Sequence, residues 1–470
     1  MSKNRILFLF FLLAFTLRMA LGAGAYWFLP IIGYDGPTQK AGYQFYDAYR
    51  RDTQAWHLAQ SDQPLTAAFS GEYAADQYGG LLWMSAFTYR YLTGGTHQPL
   101  AVTLLAALTG AAGIFFVFAA ARRLLDEKSA LIAAAIFAFF PEAILLGASQ
   151  MREPFLMTAL AIFFYASTRG KQPLQPMDWF WLVFSLGLLL FISPGIALLA
   201  LVAVAGWAGF SRERKKIHWP IVLAALGVFL LGLITLSLSW ENLVRAHAGG
   251  LFGVLGAWAR ETAVWNAHVL KGSSGIVQVL FASLPPGLAL PFVAFYGILQ
   301  PVLPAALLEP SLPFWQTLGI FRALGWYLLL PFLAYAPFAV WKNPPLRWLS
   351  LLTWCWVVIA AIRGGGDQWD NPRYRVIALV WLAILSAYAL AAPKSRWFWR
   401  IVFVEAVLLV VFGHWYGYRY LQIGFNVGIR NSLALALGLA ILGVVTDWLW
   451  EYRQSLSVII QRLNLPQEKK

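Results

Sequence analysis

Residues 42–59 read GYQFYDAYRRDTQAWHLA and bring Asp47, Arg50, Arg51, Asp52 and His57 into one short segment. From Phe45 onward the segment has no glycine or proline, so a short helix is expected. At helical spacing Asp47 and Arg51 share a face, as i and i+4 neighbours do. Asp52 falls on another face. Ala55, Trp56, Leu58 and Ala59 could lie on a membrane surface, giving an interfacial helix that presents its acids upward. A solvated charged loop is the competing reading.

A second charged pair stands in SQMREPFLM. Arg152 and Glu153 sit at a turn between two apolar runs, and Pro154 suits the start of a helix. A charge at a helix end can also snorkel to water in a purely structural role. The third cluster is GGGDQWDNPRYRVIALVW. Its glycines allow close backbone approach. Arg373 and Arg375 flank Tyr374 just ahead of an apolar run. Guanidinium groups hold phosphate oxygens bidentately, which suits the head of an anionic lipid. The alternative is an interfacial anchor with Tyr374 in an aromatic belt. Arg18 lies inside the first apolar run, where a charge costs at least about 2.5–3.5 kcal/mol on insertion scales. It is expected to face a polar cavity or to pair with an acid.

The elements that must position these groups are apolar. The 470 residues are 60% hydrophobic and only 12% charged, against about a quarter charged in a soluble protein. Hydropathy reads about twelve membrane spans, within a range of ten to thirteen. They are 6–27, 100–121, 130–148, 154–167, 179–192, 195–210, 220–238, 321–340, 346–362, 376–392, 401–415 and 433–450. The fold class expected is an all-α polytopic membrane protein forming one transmembrane domain over 1–470. The N-terminal run is kept as a span and not as a signal peptide, because Arg18 interrupts it and it lacks a clear cleavage site.

The net charge of +14 resides mainly in RRLLDEK, STRGKQ, SRERKK, WKNPPLR, PKSRWFWR and the two termini. All fall on one side of the span count. By the positive-inside rule that side is cytoplasmic, with both termini. The excess is then a topology signal and requires no nucleic acid. The other face receives two long loops, 28–99 and 239–320, with most of the acids. The second loop holds a proline-broken apolar stretch that could line a groove for a lipid tail or simply pack. Cys355 is the single cysteine, so there is no disulfide or cysteine–metal framework. No GxxxxGK[ST], HExxH or GxSxG occurs, which weighs against nucleotide-driven transport and zinc hydrolysis.

The order of these motifs resembles the GT-C superfamily of integral-membrane glycosyltransferases, which includes protein O-mannosyltransferases, aminoarabinose transferases and rhizobial lipopolysaccharide-core transferases. A first span leads to an outer loop with an early acid, here Asp47, ahead of the phrase AWHLA. EYAADQYGGLLWMSAFTYRYLTG resembles the rest of that loop. The helix pair with Pro141-Glu142 and Arg152-Glu153 resembles the family's next helix pair, and NPRYR resembles a late signature. The likeness covers residues 7 to about 164 well and 367–390 moderately. Many relatives carry an Asp-Glu pair and a tyrosine four residues on, where this chain has Ala48 and Arg51.

The resemblance implies transfer of a hexose or pentose from a polyprenyl-phosphate donor to a lipid, glycan or protein acceptor on the outer face. A carboxylate takes the acceptor's proton, and arginine stabilises the departing phosphate. Asp47 is then the general base, with Asp52 close behind. Arg152, Arg373 and Arg375 are phosphate candidates. Glu153, Arg18, Arg51, Tyr374, Glu72 and Asp76 are supporting residues, with Arg18 and Arg51 as partners for the acids. A divalent cation on Asp47, Asp52, Glu72 and Asp76 is implied by some relatives, though no spacing compels it. The rival readings are a lipid or polysaccharide transporter, a surface-polysaccharide polymerase or ligase, and a catalytically inactive relative.

Overall fold

The structure, a computed structural model, describes residues 2–73, 76, 78–168, 175–210 and 285–463. The span read at 220–238, residues 239–284 of the second long loop, the basic stretch SRERKK and the C-terminal QEKK lie outside them. The protein is an all-α membrane protein, and no strand occurs among the described residues.

Among the described residues, six helices are long and apolar enough to cross a membrane: α1 (Lys3–Ile32), α4 (Pro99–Arg122), α12 (Pro313–Ala339), α13 (Pro344–Gly364), α16 (Arg396–Leu421) and the first part of α17 (Ile429–Leu463). Two bent pairs raise the number to eight if each is one span. These are α5 (Glu127–Phe139) with α6 (Pro141–Gly147), bent by 49°, and α14 (Asp370–Val376) with α15 (Leu379–Ala391), bent by 78°. The runs read as spans at 154–167, 179–192 and 195–210 fold as the shorter apolar helices α7 (Glu153–Ser167), α8 (Pro176–Ile192) and α9 (Pro194–Phe210). Every described window of the sequence reading therefore falls on a helix. The difference in count lies in length, because at 1.5 Å per residue the short helices do not reach across about 30 Å of hydrocarbon unaided.

The breaks have local causes. Phe140 precedes Pro141 and takes extended backbone, φ −61° and ψ 122°, because a residue before proline is pushed out of the helical region. Asp126 caps the start of α5, accepting from the backbone N–H of Lys128 at 3.2 Å and Ser129 at 3.4 Å. After α13 the chain turns through Gly365 and Gly366, both at positive φ, +58° and +87°, where a side chain is disfavoured. Asp367 Oδ1 then accepts from the N–H of Trp369 at 2.6 Å and Asp370 at 2.8 Å, starting α14.

At the centre of the bundle stands α15. It is buried from Leu379 to Ala387, as a helix apolar on all sides must be. It packs against α5 and α12, while α4 packs against α1, α5 and α7.

The first long loop folds on this bundle as α2 (Tyr46–Gln60) and α3 (Gly80–Phe87). Here the sequence reading needs correction. Ala55 and Leu58 do not rest on a membrane surface. They are fully buried in a small core with Leu82, Ala86, Tyr89 and Val102. The start of α12 also takes residues 313–320 out of the second loop. That loop's described remainder forms α10 (Pro286–Leu299), packed on α13, and α11 (Leu303–Leu308).

Candidate functional site

Asp47 lies in the first turn of α2. Its Oδ2 accepts a hydrogen bond from Arg373 Nη1 at 2.7 Å. The same guanidinium donates from Nε to Glu153 Oε1 at 2.6 Å, and its Nη1 stands 3.8 Å from Asp370 Oδ1. Three elements therefore meet on one arginine: α2, the N-terminus of α7 and α14. Burial distinguishes the acids: the Glu153 side chain is 0% exposed and Asp47 is 45% exposed. Asp47 is the most exposed carboxylate of this cluster, ahead of Asp370 at 22%.

Arg152 stands at the same place, one residue before α7. Its guanidinium carbon is 5.9 Å from the centre of the Tyr78 ring, and its buried Nε has no hydrogen-bond partner. Burial alone would raise the pKa of Asp47. The charge and hydrogen bond of Arg373, with help from Arg51 and Arg152, outweigh that and hold the carboxyl below its ordinary value. The arrangement can keep an ionised, outward-facing carboxylate beside two guanidinium groups.

Asp52 sits elsewhere. It is 1% exposed. Oδ2 accepts from Tyr43 Oη at 2.5 Å and lies 2.6 Å from His97 Nε2, and Oδ1 accepts from Tyr89 Oη. His97 is itself stacked on Trp56. These contacts tie α2 to the chain on either side of it, and no acceptor could reach Asp52 without displacing them. Burial, first, and the Asp52 charge push the Tyr43 and Tyr89 hydroxyls well above their ordinary range, so both remain donors.

The other expected residues separate. Arg51 shares the Asp47 face but turns to Asp76, with Nε 3.7 Å from Oδ1, and donates from Nη1 to the Gln150 carbonyl at 3.1 Å. Asp76 in turn accepts from the N–H of Leu81 and Leu82 at the start of α3. Glu72 is exposed and meets Gln63. Arg18 is fully buried but pairs with no acid among the described residues. Its Nη1 donates to Ala14 O at 2.9 Å and to Ala138 O at 3.1 Å. Ala138 is in the last turn of α5, where carbonyls lose their helical partners, so Arg18 satisfies the break before Pro141.

Arg375 points away from the cluster. It donates to Ile298 O at 3.1 Å and Gln300 O at 2.9 Å, at the C-terminal end of α10, with its guanidinium over the Trp326 ring. The Tyr374 ring centre is 5.2 Å from the guanidinium carbon of Arg363 and 5.7 Å from that of Arg373. The four acids considered for a cation do not converge, and no group of three or more His, Cys, Asp or Glu suited to a metal occurs among the described residues.

Some buried polar contacts escaped sequence reasoning. Glu142 and Arg322 form a buried two-point pair, Nε to Oε2 at 2.7 Å and Nη2 to Oε1 at 3.1 Å. Arg322 also donates to Gln368 O at 3.0 Å and lies over Trp369, so it braces the loop that leads to Arg373. An arginine in an apolar run was the available signal. Asp370 was legible as an outer-face acid inside a quoted motif but carried no assigned role. For His97 there was no signal beyond its presence.

The proline-broken stretch of the second loop lines an apolar cleft. Phe292, Phe295, Tyr296 and Leu299 face Leu408 and Phe412 across it. Tyr296 also packs against Gly366, beside the loop that carries Arg373. The free space in it is about 70 Å³.

Residues 81–240 match the family described as dolichyl-phosphate-mannose-protein mannosyltransferase. No curated protein matches the chain. Among solved structures, the archaeal oligosaccharyltransferase AglB from Archaeoglobus fulgidus, in complex with an inhibitory peptide and a dolichol-phosphate, is 16% identical with a TM-score of 0.45, over 99% of this chain and 59% of that one. The same organism's oligosaccharyltransferase in complex with Zn and sulfate is 16% identical with a TM-score of 0.45, over 92% of this chain and 53% of that one. This chain thus spans little more than half the length of those proteins. The likeness to that family model over residues 81–240 agrees with the GT-C resemblance of the chain's motifs.

Proposed function

We propose that the protein is a GT-C-type glycosyltransferase that moves a sugar from a polyprenyl-phosphate donor to an acceptor hydroxyl. The reaction would take place at the membrane face where α2, α7 and α14 meet. The observation that carries this reading is the half-exposed Asp47 carboxylate bonded to Arg373 at 2.7 Å, with Arg152 alongside.

In the proposed step, the acceptor oxygen attacks the anomeric carbon while its proton passes to Asp47. The bond from that carbon to the phosphate oxygen breaks, and its electron pair leaves with the lipid phosphate. A single displacement of this kind inverts the anomeric centre. Positioned carboxylates contribute about 10²–10⁴-fold in such proton transfers. Arg152 is the better phosphate ligand, because its Nε is unpartnered while Arg373 already serves three acids. Arg373, held by Glu153, orients Asp47. The apolar cleft along α10 would guide the donor's tail toward the 364–376 segment. The positive-inside reading makes this face the periplasmic or extracellular one.

The test uses purified protein in lipid with a panel of radiolabelled polyprenyl-phosphate sugars and measures release of free polyprenyl phosphate. Release by the wild type that disappears in Asp47→Asn, with folding intact, supports the reading. Equal release by Asp47→Asn removes Asp47 from the mechanism. Failure to bind any donor would favour the transporter reading.

A further inference from the structure

From the Arg373 cluster, α15 runs for 13 residues toward the opposite end of the bundle, about 20 Å at helical rise. There α16 begins and the membrane-crossing part of α17 ends. Between these two antiparallel helices is a cavity of about 350 Å³, within the usual size of ligand sites, about 300–1,000 Å³. Its floor is Phe403, Gly443 and Val444, and its rim carries Arg396, Arg400 and Asp447.

The rim charges are unequally matched. Arg400, with its side chain 4% exposed, donates from Nε to Asp447 Oδ2 at 2.7 Å and from Nη2 to Glu451 Oε2 at 2.5 Å. One guanidinium is therefore divided between two carboxylates. Asp447, with half of that cation, remains 46% exposed. Arg396 donates to Gln454 Oε1 at 2.7 Å and has no acid partner among the described residues. The cavity is thus lined by both a hydrogen-bonding cation and an accessible carboxylate, together with an apolar floor. Exposed Trp399, Trp397, Trp448 and Trp450 surround this end, as tryptophans do at a membrane–water boundary.

We propose that this cavity binds the head of a zwitterionic phospholipid bearing a primary ammonium. The phosphodiester lies on Arg396, the ammonium on Asp447, and the glycerol end over Phe403 and Gly443. A quaternary ammonium would lack the N–H donors that a carboxylate accepts, and an anionic lipid would lack the cation.

The test places the full chain in nanodiscs of phosphatidylcholine alone, or with added phosphatidylethanolamine or phosphatidylglycerol. Retained lipid is read by native mass spectrometry and stability by thermal midpoint. The expected result is one retained phosphatidylethanolamine and a midpoint about 2–4 °C above phosphatidylcholine alone. Asp447→Asn should erase the preference over phosphatidylcholine, and the exposed-site variant Arg396→Gln should lose retention. Glu451→Gln, which leaves Arg396 and Asp447 in place, should keep it. Equal midpoints in all three lipids, preference for phosphatidylglycerol, or a preference unchanged in both Asp447→Asn and Arg396→Gln would overturn the assignment.

Discussion

Arg373 and Asp47 lie 326 residues apart in the chain and 2.7 Å apart in the folded protein. One guanidinium joins the first loop to the last third of the molecule, and Glu153 fixes its other edge. The pair has consequences for pH. Asp47's carboxyl is held low in the folded state, so its ion pair contributes fully above the unfolded value of about 3.9. That contribution is lost as pH falls through the lower folded value. Without Arg373 the effect of burial dominates and the carboxyl rises. Arg373→Gln should move the acid limb of the pH–rate profile to higher pH, measured as kcat/KM for donor turnover. An unmoved limb would show that another group titrates there.

The two acids of α2 should separate by readout. Asp47→Asn should lower turnover by about 10²–10⁴-fold and cost less stability than Asp52→Asn, since Asp47 is half exposed. Asp52→Asn should leave measurable turnover and cost stability, because Tyr43, Tyr89 and His97 lose a shared carboxylate. An unsatisfied buried polar group costs about 1–3 kcal/mol. The opposite pattern would make Asp52 the reacting acid.

The arginines should separate in the same way. Arg152→Ala should weaken donor use, and lysine should rescue it only in part, since an ammonium lacks the planar fork. Arg375→Ala should act mainly on stability, because it leaves Ile298 O and Gln300 O without their donor. Donor titrations and unfolding curves on both variants decide this.

Glu142 and Arg322 are both almost wholly buried. Removing one partner strands the other, which costs about 3–5 kcal/mol. Glu142→Leu should therefore destabilise the protein strongly. The double replacement Glu142→Leu with Arg322→Met should recover much of the loss, as a buried pair is often replaceable by apolar residues. Because Arg322 also holds Gln368 O, turnover should stay reduced in the double variant even where stability returns.

By itself the sequence determined the helices and the charged ends. Apolar runs in lipid must satisfy their backbone internally, so each described window became a helix. The span reading runs through 130–148 without the break that Pro141 makes, but Asp47, Arg152, Glu153 and Arg373 were visible as charges where an apolar chain has few. Tertiary structure alone decided which of these charges meet. Asp47 and Asp52 are five residues apart on one helix, yet one faces outward to Arg373 and the other is enclosed by two tyrosines and His97. Arg373 and Arg375 are two residues apart, yet only the first joins the cluster, while the second is bonded to carbonyls at the end of α10. Helical periodicity fixes that such residues point in different directions. Which direction is the site depends on the helices packed around them, and those come from distant parts of the chain.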